Sequence, residues 1–313
     1  MSKRDTTEGA AIASGRSNAL WTDLSLVLVT AIWGSTFIVN RLVLETTPPL
    51  LFLLLRFTVG GTILLLLAAR RPWTPFLLRD SAVIGILLAV GIGCQVVGQL
   101  FTTASKAAFV TGLSVPLTPV VGFLTTRKLP SLANMVGLSF AAFGFGLMSW
   151  PKDAVTGVNV GDLLILGTAF AYGYLFVYVA EAAGRHDVRW FSAGQVIFGA
   201  IFIGIFRLLL LPFLHRPEPF FVAEARPLPH TTGLLYAVLW MAILATVVTF
   251  LIQTWAQARM SATHAAILFA LEPVFTAVFA AAILKERMSA RDFSGAALVL
   301  LGIVISELPL GRR

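Results

Sequence analysis

Cysteine and histidine are nearly missing from this 313-residue chain, which holds one cysteine, Cys94, and four histidines. A lone cysteine excludes an intramolecular disulfide, and no Cys/His cluster has the spacing of a metal site. Charge is scarce too: Asp, Glu, Lys and Arg supply 12% of the residues, where a soluble domain carries about a quarter. There is no P-loop and no His-Glu-x-x-His. An ATP-driven pump would need a nucleotide domain for which no residues remain, and no nucleophile–base pair suggests a hydrolase. The chain is not expected to be an enzyme or to carry a cofactor or metal.

What fills the chain instead is apolar: 58% of residues are hydrophobic, arriving in blocks of about twenty, the length a bilayer core demands of a helix. Ten spans can be drawn, at 23–43, 48–69, 81–103, 106–125, 132–150, 160–180, 190–211, 233–256, 263–284 and 291–307. Connectors are too short for a soluble domain. Residues 1–19 are small and polar and read as a disordered cytoplasmic tail. No apolar segment precedes them, so a removed signal peptide is not expected.

The net charge of +8 is distributed as an orientation signal. An even number of spans puts both termini on one side. Placed in the cytoplasm, that side receives Lys3, Arg4, Arg16, Arg70, Arg71, Arg79, Arg127, Lys128, Arg185, Arg189, Arg259, Arg312 and Arg313. The other side receives Arg41, Lys106, Lys152, Arg216, Arg226, Lys285, Arg287 and Arg291. The bias follows the positive-inside rule and predicts a multi-pass inner or plasma-membrane protein with cytoplasmic termini. It excludes a nucleic-acid footprint.

The chain also repeats itself. AIWGSTFIVNR (31–41) overlies AFAYGYLFVYVAE (169–181) at an offset of 139, so that Asp23 meets Asp162, Trp33 meets Tyr172 and Gly34 meets Gly173. Spans three to five match spans eight to ten at an offset of 158. There Gln95 meets Gln253, Gln99 meets Gln257, Lys106 meets His264, Thr118 meets Thr276 and Gly144 meets Gly302. Two coinciding pairs of amides are informative because buried amides are costly in lipid. The change of offset places an insertion at HRPEPFFVAEARPLPH (215–230). A five-span repeat must insert its second copy upside down, the architecture of many secondary transporters. The predicted units are 20–150 and 158–308.

Four stretches carry a family resemblance: AIWGSTFIVNR, LLFLLLRFTVGG around Arg56, TTASKAAFVTGLSVPLTPV, and LEPVFTAVFAAAILKERMSARDFSGAALVLLGIVIS. Together they resemble the EamA family of the drug/metabolite transporter superfamily, over residues 23–307. The resemblance implies a ten-helix bundle around a central cavity and secondary transport, often export of small metabolites or amino acids. It does not fix one cargo. The fold expected is therefore an all-α membrane protein, ten transmembrane helices in two inverted five-helix repeats around a central cavity.

Within that frame Glu272, followed by Pro273, is the first site residue. It lies ~13 Å into its span at 1.5 Å per residue, and a charge at that depth is a functional-site hypothesis by default. Arg56 lies ~12 Å into span two by the same rise. Equal depth favours an Arg56–Glu272 ion pair, each group relieving the other's desolvation. Alternatively Arg56 grips a substrate carboxylate and Glu272 an amine, or Glu272 cycles a proton. Their repeat partners are Gln195 and Ser114, so the symmetry breaks where charge matters. Gln95 and Gln99, and Gln253 and Gln257, are spaced to share helix faces and could line two vestibules or bond helix to helix. Lys106 and His264 sit at matching span starts, as gate-side cations or as snorkelling groups, and His264 is a second, weaker titrating group. Trp33, Asn40 and Tyr172 could wall a cavity or simply pack. Pro116, Pro119 and Pro273 suggest interrupted helices. The partners implied are a small-molecule substrate, membrane lipid and, if Glu272 cycles, protons.

Overall fold

The computed structural model describes residues 3–68, 73–127, 131–149, 159–260, 265 and 268–306. The unit boundaries predicted at 150, 158 and 308 lie outside them, as does His264. Helix α1 runs Lys3–Val43, so the helix begins inside the stretch expected to be disordered. Alanines at 10, 11 and 13 and the absence of proline before Pro48 let it continue backward. Pro48 then ends it, and Pro49 opens α2, Pro49–Ala68, where a missing N–H costs nothing. Helix α3, Pro75–Gly98, starts on Thr74, whose hydroxyl accepts the Leu77 N–H at 3.2 Å.

The fourth run is broken into α4, Ala104–Gly112, and α5, Ser114–Thr126. Pro116 has no N–H to give the Gly112 carbonyl, and its ring crowds it, so the helix yields at Leu113. Helix α6 covers Leu132–Ser149, and α7, Val160–Ala182, opens with a capping box between Asn159 and Asp162. Helix α8, Val188–Leu210, is followed by the short α9, Pro219–Glu224, inside the predicted insertion. Helix α10, Thr232–Gln257, is wound as a π-helix from Trp240 to Val248. Helix α11, Glu272–Leu284, starts with Glu272 and Pro273 after a turn at Ala270–Leu271, where Pro273 crowds the Phe269 carbonyl as Pro116 crowds that of Gly112. Helix α12, Ala290–Ser306, ends the described chain.

Among the described residues seven helices are long and apolar enough to cross a membrane, and two shorter apolar helices, Leu132–Leu147 and Glu272–Leu284, accompany them. No strand is found among those residues. Two packed regions organise the bundle. Phe57, Leu64, Ile84, Leu175, Phe191 and Val196 join α2, α3, α7 and α8. Phe109, Val115, Ala141, Val299 and Ile303 join α4, α5, α6 and α12. Helix α1 lies against α11 at Gly34, where a Cβ would sit 2.9 Å from Phe275 Cβ and 3.1 Å from the Thr276 nitrogen. Thr276 Oγ1 donates to the Gly34 carbonyl at 3.2 Å across this contact. Hydroxyls inside α1 are satisfied by their own helix: Thr30, Ser35 and Thr36 each donate to the carbonyl three residues back. The outward faces stay apolar, with Leu66, Phe143, Leu209 and Phe293 exposed. That suits a lipid surround and would be a liability in water.

Candidate functional site

A buried cavity of about 50 Å³ lies where α1, α2, α3, α7 and α10 meet the two broken helices. Seven predicted residues line it: Trp33, Arg56, Gln95, Ser114, Tyr172, Gln253 and Glu272. Ser114 and Glu272 are the first residues of α5 and α11, so each broken helix presents its N-terminal end to the same space.

The ion pair favoured from the sequence does not form. Arg56 is buried, and its Nε donates to Thr246 Oγ1 and its Nη2 to the Ala245 carbonyl, both at 2.8 Å. Its guanidinium also lies 5.4 Å from the Phe57 ring centroid. These partners lie where α10 is π-wound: backbone hydrogen bonding shifts to a five-residue reach, as the Thr249 N–H donating to the Leu244 carbonyl shows, and Thr246 Oγ1 itself donates to the Met241 carbonyl. Insertions of this kind recur at functional sites. Glu272 makes no side-chain hydrogen bond or ion pair with the described residues, and its carboxylate faces the cavity. Arg56 and Glu272 therefore share one space without pairing.

The wall mixes polar, aromatic and aliphatic side chains. Gln95 Nε2 donates to Thr111 Oγ1 at 3.3 Å, and Trp33 Nε1 to Thr249 Oγ1 at 3.1 Å. Towards the start of α1, Phe269 stacks on Phe176 at 5.1 Å and meets Trp33 at 5.6 Å, closing that side over Leu26, Val29 and Ala256. Sequence reasoning missed Thr36, Thr111, Phe250 and Phe269 as wall residues. Thr36 could have been found from its four-residue spacing to Asn40, which puts both on one helical face; Thr111 and the phenylalanines carry no such signal.

The remaining predicted residues are elsewhere. Asn40 Nδ2 donates to Gln99 Oε1 at 2.9 Å, and Gln99 Nε2 to the Phe37 carbonyl at 3.4 Å, bonding α1 to the end of α3. Gln257 is buried, and its Oε1 has no partner among the described residues. Lys106 Nζ is 2.8 Å from Asp162 Oδ2, tying α4 to the start of α7. Glu286 caps α4 by accepting the Ala104 and Ser105 N–H groups at 3.0 and 3.2 Å. At the other ends of these helices Asp80 joins α3 to α7, accepting Tyr178 Oη at 2.9 Å and pairing with His186 Nε2 at 2.7 Å. In the insertion, Glu224 accepts the Leu50 N–H at 2.8 Å and Arg207 Nε at 2.7 Å. Burial pushes the Glu224 carboxyl above its ordinary value, against the pull of those two donors.

Comparison with known proteins gives this architecture a family. The model of the EamA-like transporter family matches residues 20–150 and again 159–308. An Archaeoglobus fulgidus protein described as an uncharacterized transporter is 30% identical over 289 residues, 92% of this chain and 86% of that one. An Escherichia coli protein named a probable amino-acid metabolite efflux pump is 25% identical over 298 residues, 92% of this chain and 95% of its own. A solved crystal structure shares the fold at a TM-score of 0.62 and 15% identity, covering 91% of this chain and 95% of that one. With its apolar, spanning-length helices, the chain is a multi-pass membrane transporter rather than an enzyme, and it belongs to the EamA-like transporter family.

Proposed function

We propose that this chain is a secondary transporter that exports small metabolites, amino acids foremost, by alternating access. The observation that carries the reading is the unpaired couple Arg56 and Glu272, facing one cavity between two interrupted helices. A zwitterion matches that couple: its carboxylate goes to the free donors of Arg56 and its amine to Glu272. In the absence of cargo Glu272 exchanges a proton, which couples transport to a proton gradient. The name of the Escherichia coli relative supports amino-acid metabolites as the cargo class.

The working architecture is ten crossings in two inverted units, 20–150 and 158–308, with both termini in the cytoplasm of an inner or plasma membrane. Three features support it. The helix breaks fall at Leu113 and Leu271, which correspond at the offset of 158 seen in the sequence. A Cβ on Gly144 would lie 2.5 Å from the Gly295 carbonyl oxygen, and one on Gly302 would lie 2.5 Å from that of Gly137. The same offset exchanges these two contacts, as a two-fold axis between α6 and α12 would. The charge bias across the connectors supports the orientation.

A cavity of about 50 Å³ holds a few waters at most, so cargo enters only with rearrangement. The stacked Trp33, Phe176 and Phe269 are the closure on the side of the α1 start. The bonds Asn40–Gln99 and Lys106–Asp162 are the closure on the other. The same machinery would import if the gradients were reversed, so direction is read from flux. Purified protein in proteoliposomes should move labelled amino acids down an imposed gradient, faster with a proton gradient of the matching sense. Movement no faster than in protein-free vesicles, across amino acids and related metabolites, would overturn the reading.

A further inference from the structure

A second space, of about 910 Å³, opens on the outer face of α3, α7 and α8 and shares no lining residue with the central cavity. Neighbours along α3 divide between the two: Cys94 lines the outer space and Gln95 the central one. The outer volume is in the range of ligand pockets, about 300–1,000 Å³. Its wall is almost wholly hydrocarbon, including Ile86, Val90, Val97, Leu164, Phe202 and Phe206.

Its depth is set by the helices. On α3 the lining begins at Ile86, the middle of Pro75–Gly98, and continues to Val97 and Phe101 near the end. The eleven steps from Ile86 to Val97 rise ~17 Å at 1.5 Å each, against about 15 Å for one leaflet of a 30 Å hydrocarbon core. The other elements contribute only from that same end: Val160 and Leu164 begin α7, Phe202 and Phe206 lie late in α8, and Leu50 begins α2. Over the mouth lies α9 with Glu218, Pro219 and Phe220. Glu218 is exposed and accepts no ion pair from the described residues. The neighbouring Arg216 is turned instead onto the rings of Phe213 and Phe221, at 5.1 and 5.9 Å.

A groove one leaflet deep, apolar along its length and acidic only at its water end, has the chemistry of a single phospholipid with an amine headgroup. We infer that this groove holds one such lipid, an acyl chain lying along Gly93 and Cys94 and its headgroup ammonium at Glu218. The inference rests on the helices crossing a membrane and not on the cargo of the central cavity, so it can fail while the transport reading stands.

The floor provides the test. A Cβ on Gly93 would meet nothing within 4 Å, so Gly93→Trp can leave the backbone without a clash and places its ring where the acyl chain would lie. The full chain is reconstituted in nanodiscs of equal phosphatidylethanolamine and phosphatidylglycerol, released into mild detergent, and weighed by native mass spectrometry. The wild type should keep one phosphatidylethanolamine per chain, G93W should lose it at least tenfold with unchanged thermal unfolding, and Glu218→Gln should keep a lipid without headgroup preference. If G93W folds poorly, Val90→Trp serves the same purpose. A wild type that retains no lipid, a folded groove-filled variant that retains it, E218Q that still prefers phosphatidylethanolamine, or a retained mass that is not a phospholipid would each overturn the inference.

Discussion

Separating Arg56 from Glu272 makes a quantitative demand on a double-mutant cycle. Arg56→Met removes two charge-assisted hydrogen bonds, to Thr246 Oγ1 and the Ala245 carbonyl. Thr246 keeps its bond to the Met241 carbonyl, so the one group stranded is Ala245 O, at about 1–3 kcal/mol. Relief of the buried guanidinium offsets part of the lost bonding, and a net loss of about 1–3 kcal/mol is expected. Glu272→Gln removes no recorded side-chain partner and should change stability by about 0.5 kcal/mol or less. With no shared partner, the two changes should add within about 0.5 kcal/mol. Had the pair formed, removing one member would cost about 3–5 kcal/mol. Reversible denaturation in micelles, followed by tryptophan fluorescence for wild type, both single variants and the double variant, measures the cycle. A coupling energy well above about 1 kcal/mol would refute the reasoning and restore the ion pair.

Other outcomes follow from the same geometry. Glu272→Gln should abolish gradient-driven flux in proteoliposomes yet retain cargo exchange; loss of both with normal folding would remove Glu272 from coupling. Lys106→Met takes the cation from the fully buried Asp162 carboxylate, which keeps the Asn159 N–H and the Thr102 hydroxyl as donors, and should destabilise the fold by about 1.5–3 kcal/mol, read by thermal unfolding. Gly34→Ala forces a Cβ against Phe275 and the Thr276 backbone and should cost about 1–3 kcal/mol by overpacking, seen in the same assay. Because burial raises the Glu224 carboxyl in the folded chain, folding favours its protonated form. Its contribution is full below the ordinary value for an unfolded Glu, about 4.3, and is lost as pH rises through the higher folded value. Glu224→Gln should therefore flatten the fall in melting temperature on going from about pH 4 to about pH 7.

Much of the site was legible because intramembrane polarity is expensive and so stands out. Arg56 and Glu272 were found by counting residues into an apolar run, Gln95 and Gln253 by their shared register in the repeat, and all four line one cavity. Gln99 and Asn40 gave the same signal but bond to each other instead, since a buried amide can be satisfied by either role. The Arg56–Glu272 pair was expected from equal depth. Depth along two helices does not say how they are rotated, and the π-wound turn that claims Arg56 has no mark in the sequence. Asp80 and His186 were passed over because each sits near a helix end, where polar residues are unremarkable until folding brings them together.

By itself, then, the sequence determined the class, the apolar helices, the helix interruptions and the depth of each costly group. These follow from local facts: hydrocarbon thickness, proline's missing donor and the desolvation of charge. Only the tertiary structure decided which groups face one another. It gave Arg56 to α10, left Glu272 open to the cavity, and turned Cys94 and Gln95 to different spaces. Those outcomes depend on helix rotation and packing, where small differences in many contacts add up and no single residue announces the result.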